Sequence, residues 1–165
     1  LTPGKAQLTI EHRLKNTGRK AIATNVYNHG FFMLDGQPTG PDITVRFPFD
    51  IQGTRDMGGL AEARGRQIVY LKELQARIEG GGRQQASTPI EGFSALNPAD
   101  FDIVVENQRT RAAVRFTSDR PLSRINFWSV RTTVCPEAYV DVKAAPGEET
   151  HWRITYDFYD MDGRT

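Results

Sequence analysis

Phe101-Asp102-Ile103-Val104-Val105-Glu106-Asn107-Gln108-Arg109-Thr110-Arg111-Ala112-Ala113-Val114-Arg115-Phe116 is the stretch whose reading decides the fold class. Phe101, Ile103 and Val105 share one parity, which is the period of a strand with one buried face. Asn107 to Arg111 is polar and reads as a turn, after which Val114 and Phe116 resume the apolar pattern.

The same grammar extends in both directions. Downstream, Ser118 to Pro121 is a further turn, and Leu122 to Val134 reads as one long strand. Its parity separates Asn126, Trp128 and Val130 from Ile125, Phe127, Ser129 and Arg131. Pro146-Gly147 marks a tight turn over Ala144 to Glu148, and Trp152, Ile154, Tyr156 and Phe158 then alternate. Upstream, Leu8, Ile10 and Leu14 mark a first strand, Asn16-Thr17-Gly18-Arg19 a turn, and Lys20 to Met33 a second strand. The two are expected to pair as a hairpin, closed at Asp35-Gly36. Ile43 to Ile51 is extended, and Pro48 argues for an edge strand or a bulge. Gln37 to Pro41, Gln52 to Arg66 and Ser87 to Pro98 read as loops. Gln67 to Ile78 combines a strand-like Ile68-Val69-Tyr70-Leu71 with helical spacing of Leu71, Leu74 and Ile78. Strand is preferred there, because its neighbours are strands and Gly80-Gly81-Gly82 ends it. No stretch makes a convincing helix, so the expectation is an all-β sandwich or barrel.

Bulk properties narrow the function. A chain of 165 residues suits one domain able to bury a core. Its 21 Lys and Arg against 20 Asp and Glu leave a net charge of +1, with no long run of one sign. Nucleic acid and an anionic membrane are therefore poor partners. The single cysteine, Cys135, excludes an internal disulfide. His12, His29 and His151 lie far apart, and no Cys/His spacing of the zinc type appears, so no metal site is expected. No apolar run reaches the ~18 residues of a membrane span and no signal peptide is visible, which favours the cytoplasm while leaving the redox compartment open.

Val26-Tyr27-Asn28-His29-Gly30-Phe31-Phe32-Met33-Leu34-Asp35-Gly36 is the stretch richest in chemistry. An imidazole titrates near ~6.5, so His29 is the side chain suited to moving protons near neutrality. Tyr27, Phe31 and Phe32 can wall a pocket, and Gly30 allows a close backbone approach. The competing reading is a buried histidine satisfied by a backbone carbonyl. Acid–base chemistry pairs such a group with a carboxylate. Glu137, following Cys135-Pro136 at the end of the long apolar strand, is the candidate base; its alternative is a salt bridge, for example to Arg131. Trp128 and Tyr139 are placed to stack on the apolar face of a sugar ring. Trp152 is read as core.

Asn28-His29-Gly30-Phe31-Phe32-Met33-Leu34-Asp35-Gly36 resembles the Asn-His-x-(Tyr/Phe)-(Phe/Trp)-Asn-Leu-x-Gly segment of the galactose mutarotase and aldose 1-epimerase superfamily, departing from it at Met33. Val134-Cys135-Pro136-Glu137 looks like the strand end that carries the family's general base, in its Cys-x-Glu form. The resemblance implies that His29 is the general acid and Glu137 the general base. Asp100-Phe101-Asp102-Ile103-Val104-Val105 is similar to the family's segment with a substrate-binding aspartate, which falls on Asp100, or on Asp102 after a slip of two. Asn28, Trp128 and Arg131 complete the expected sugar-binding set, Arg131 from its strand position only. The family's upstream arginine and second histidine have no counterpart here.

The resemblance thus implies a large antiparallel β-sandwich of the mutarotase supersandwich type, represented over residues 1–165 by the C-terminal part of a longer domain. It implies an isomerase that interconverts sugar anomers without a cofactor, acting on a monosaccharide or oligosaccharide; the absence of a Lys/Arg cluster favours an unphosphorylated one. A missing N-terminal part of the same domain would be a partner, packing against an unpaired sheet edge or an exposed apolar face. A non-catalytic carbohydrate-binding module and a purely structural β-domain are the alternatives.

Overall fold

The structure, a computed structural model, describes residues 1 and 3–162. It contains twelve strands: β1 (Gln7–Lys15), β2 (Ile22–Val26), β3 (Ile43–Arg46), β4 (Gln52–Gly53), β5 (Ala61–Arg64), β6 (Gln67–Tyr70), β7 (Gln85–Glu91), β8 (Asp102–Asn107), β9 (Ala112–Ser118), β10 (Arg124–Val130), β11 (Thr133–Ala144) and β12 (Glu149–Asp160). Short 3-10 turns lie at Leu34–Gly36 and Pro98–Asp100. The strands form two antiparallel sheets. One runs β1-β12-β9-β8-β3-β6-β5 and the other β2-β11-β10-β7-β4. The all-β expectation therefore holds, and the two sheets make a sandwich.

The β8–β9 hairpin joins the strands of the deciding stretch, with Ile103 opposite Phe116 and Val105 opposite Val114. Its turn is built by Asn107, whose Oδ1 accepts the amides of Arg109 and Thr110. Phe101, Ile103, Val105 and Val114 are buried and meet Ile125 and Phe127 of the second sheet in one apolar cluster. Ile125 and Phe127 are both fully buried while Asn126 and Trp128 are only half-buried, which is the parity read from the sequence.

Several expectations need correction. Leu122 to Val134 is not one strand: it breaks at Arg131-Thr132 into β10 and β11, which pair with each other. The first two strands do not form a hairpin. β1 pairs with β12 and β2 with β11, so Asn16 to Ala21 crosses from one sheet to the other beside the β11–β12 turn. A buried Asn16 ties the two crossings together. Its Nδ2 donates to Lys20 O at 2.8 Å and Ala144 O at 2.9 Å, and its Oδ1 accepts from Gly18 N at 3.0 Å. The second strand stops at Val26 rather than Met33, apart from one bridge of Phe32 to Val134.

Residues 87–98 are not simply loop, because β7 runs through Pro89 and lies between β10 and β4. Pro89 is tolerated because its nitrogen faces the β4 side, where β4 has already ended at Gly53. Gln52 to Arg66 is not an open loop either: it holds β4 and β5 and buries Met57 and Ala61. Over Gln67 to Ile78 the strand ends at Tyr70, and the remainder is irregular. Pro48 lies just past the end of β3, a strand paired on both sides, so the proline terminates the strand instead of marking an edge.

Asn16→Ala removes three side-chain hydrogen bonds, two of them to the carbonyls of Lys20 and Ala144. The expected cost is about 1–3 kcal/mol. Urea unfolding checks it: the midpoint should fall with the slope unchanged.

Candidate active site

β11 carries two unlike faces. Val134, Ala138, Val140 and Val142 enter the core between the sheets. Cys135, Glu137 and Tyr139 have the opposite parity and project away from it. Across the β10–β11 pairing, Trp128 stands opposite Cys135 and Asn126 opposite Glu137, so these side chains share that face. Glu137 sits inside β11, four residues after its start, and not at a strand end as expected.

The irregular segment from Tyr27 to Phe31 lies over this face. The His29 Nε2 is 3.6 Å from Glu137 Oε1, and its Nδ1 is 3.0 Å from Cys135 Sγ. Phe31 stacks on the imidazole at a ring separation of 4.2 Å, and Trp128 meets it edge-on at 6.0 Å. Tyr27 packs on Tyr139 at 4.3 Å. Gly30 has a local packing role: a Cβ there would come within 2.9 Å of the Phe32 ring, so only glycine lets the segment tuck over that phenyl group. The His29 side chain keeps 38% of its surface and Glu137 keeps 11%, so the pair opens to solvent from the histidine side.

Burial, reinforced by the Glu137 charge, pushes the Cys135 thiol up to about 12, so it is protonated at neutral pH. Its Sγ meets the imidazole at Nδ1, and Nε2 faces Glu137. Glu137 Oε2 accepts from Asn126 Nδ2 at 2.9 Å and from the Tyr139 hydroxyl at 3.4 Å. Oε1 faces the histidine. Burial and the same carboxylate hold the Tyr27 phenol at about 12, so it stays neutral. The site therefore presents an imidazole Nε2 beside a carboxylate oxygen, each held from behind by a further side chain.

The other residues singled out from the sequence are placed differently. Trp128 lines the His29 surroundings, with the Arg83 guanidinium 5.5 Å from its ring centre. Tyr139 does not offer a free face for stacking, because the Arg124 guanidinium lies 3.8 Å from its ring centre. Asn28 turns the other way and donates to the Tyr156 hydroxyl at 3.2 Å. Arg131 sits in the β10–β11 turn, paired with Glu73 and donating to Leu74 O, so the suggested bridge to Glu137 is not formed. Asp100 caps its own loop, accepting from Ser94 N at 2.6 Å and Asn97 Nδ2 at 2.7 Å. Asp102 is held by Arg115 in a two-pronged contact of 2.6 and 2.5 Å on the other sheet. Asn126 was not singled out by the sequence, although its place two residues before Trp128 on the same parity was a usable signal.

No family model matches the sequence, and no curated protein matches it. Solved structures do. A provisionally described aldose 1-epimerase of Klebsiella pneumoniae superposes with a TM-score of 0.66 at 14% identity, over 99% of this chain and 46% of that one. A galactose mutarotase related enzyme of Lactobacillus acidophilus gives 0.60 at 13% identity, over 97% and 60%. An aldose epimerase homologue of C. elegans gives 0.57 at 14%, over 95% and 57%. The chain has the galactose mutarotase-like fold. It spans about half the length of the structures it matches. Within a mutarotase-like sandwich, the His29–Glu137 pair lies on the outer face of the five-stranded sheet, at the gap between Val26 and Phe32.

The raised thiol value has a consequence for stability. The folded state favours the protonated thiol, so this contribution is complete below the ordinary value of 9.0 and is lost as pH rises toward about 12. Following thiolate absorbance against pH in the folded protein should show an ionisation far above 9.0. A midpoint at 9.0 would contradict the buried, Glu137-shadowed setting.

Proposed function

We propose that this chain carries the acid–base pair of an aldose 1-epimerase-like isomerase. One observation supports the reading above the others: an imidazole nitrogen and a carboxylate oxygen stand 3.6 Å apart on a face open to solvent. Anomer interconversion needs such a pair. The anomeric hydroxyl must lose a proton while the ring oxygen gains one, and both oxygens sit on the same carbon. Two groups close together can therefore serve both oxygens when the sugar approaches edge-on, without a ring lying between them.

In this mechanism Glu137 Oε1 takes the proton from the anomeric hydroxyl. His29, entering the cycle as the imidazolium, gives its Nε2 proton to the ring oxygen and becomes the neutral imidazole, and the bond from that oxygen to the anomeric carbon breaks. The free aldehyde rotates about its C1–C2 bond. On closure the ring hydroxyl returns its proton to His29, and Glu137 gives its proton to the new anomeric oxygen. Asn126 and Tyr139 hold the Glu137 carboxylate, and the Cys135 sulfur holds the ring at Nδ1 so that Nε2 faces Glu137. Trp128 and the exposed Phe31 supply aromatic surface for the sugar. The substrate class is an unphosphorylated aldose or an oligosaccharide end.

Freshly dissolved α-glucose or α-galactose provides the assay, followed by the relaxation of optical rotation. His29→Ala and Glu137→Gln should each lower the catalysed rate by roughly 10²-fold or more, as loss of one positioned proton donor or acceptor does. Relaxation equal to that of the parent protein would exclude the assignment. The alternative, a carbohydrate-binding module without turnover, is favoured by the missing upstream ligands and by the aromatic lining that Phe31 and Trp128 give the site. Calorimetry showing saturable sugar binding with no rate enhancement would select it.

A further inference from the structure

We propose that His29, Cys135 and Glu137 form a binding site for a soft divalent cation of the zinc class, one that switches the acid–base pair off. A ring nitrogen, a sulfur and a carboxylate oxygen, one from each residue, lie within 4.8 Å of one another. Nitrogen, thiolate and carboxylate are the donors zinc selects, at about 2.0–2.3 Å. Spacing along the chain conceals this set, because 106 residues separate His29 from Cys135.

The placement suits a cation. Cys135 and Glu137 are two residues apart on one face of a strand paired with β10, so two of the donors are rigid. The third sits on the irregular segment from Tyr27 to Phe31, outside the strand ladders. Asn126 Nδ2 already orients the carboxylate from behind through Oε2. Solvent reaches the cluster past His29, which gives the ion an entry path and leaves a fourth position for water.

Binding is a proton exchange. The ion bonds to Sγ as the thiol proton leaves to solvent, and it takes the lone pair of a His29 ring nitrogen, the ring lying 3.0 Å from Sγ at Nδ1. Glu137 Oε1 closes the set. Thiolate and carboxylate together balance the two positive charges. With Glu137 coordinated, no base remains for a sugar hydroxyl. The inhibition rests on the reading of His29 and Glu137 as acid and base; the binding does not.

The test uses metal-stripped, tag-free protein titrated with cobalt(II). A thiolate-to-cobalt charge-transfer band should grow to saturation at one ion per chain. Zinc should abolish the band, and magnesium should leave it unchanged. Cys135→Ser should lose the band, and Glu137→Gln, which preserves shape, should weaken binding at least tenfold. No band in the parent, or an equal band in Cys135→Ser, overturns the site. Sugar relaxation measured alongside, with zinc and then with EDTA, keeps the two ideas apart. A cobalt band in a protein that never accelerates relaxation upholds the metal site and removes the enzyme reading. Relaxation that zinc leaves untouched while the band forms overturns the switch.

Discussion

The site depends on a backbone constraint at Pro136. Val134 exchanges both of its hydrogen bonds with Phe32, so its nitrogen and carbonyl face the β2 side. Pro136, two residues on, faces the same way and has no N–H to offer. β2 pairs with β11 only from Val140 to Ala144. Between those two contacts Pro136 gives the neighbouring chain no donor to meet, and there that chain leaves the sheet. The departing segment is Tyr27 to Phe31, which carries His29 over the outer face of β11. A residue that weakens a sheet ladder thus creates the room in which the imidazole meets the carboxylate.

The electrostatics follow from that geometry. Cys135 is fully buried and next to a carboxylate, so it holds its proton. Glu137, buried at 9%, is tolerated because Asn126 and Tyr139 satisfy one oxygen and the exposed histidine lies beside the other. The ring of Tyr139 is covered by Arg124 and Tyr27, so this residue supports the carboxylate from a packed position and does not receive a ligand.

β1 is one of the two edge strands of its sheet. It ends the seven-stranded sheet with nine residues, and beside it Leu8, Ile10, Phe32, Tyr156 and Phe158 line an apolar hollow of about 330 Å³ that His29 borders. The matched structures are about twice as long as this chain.

The sequence by itself determined the all-β class and the buried parity of the strands, because alternation is a local property. It also singled out His29 and Glu137, through short motifs whose residue types are visible in one line. It failed where pairing is decided at a distance. The hairpin assigned to the first two strands does not exist, because β1 and β2 find better partners in β12 and β11, more than a hundred residues away. Pro89 hid a strand for a similar reason: whether a proline breaks a ladder depends on which side its neighbour stands. The meeting of Cys135 Sγ with His29 Nδ1, the support of Glu137 by Asn126, and the engagement of Asp100 and Arg131 with other partners were all decided by tertiary structure. Side-chain contacts across strands depend on register and on which face a strand presents, and the order of residues in one strand carries neither.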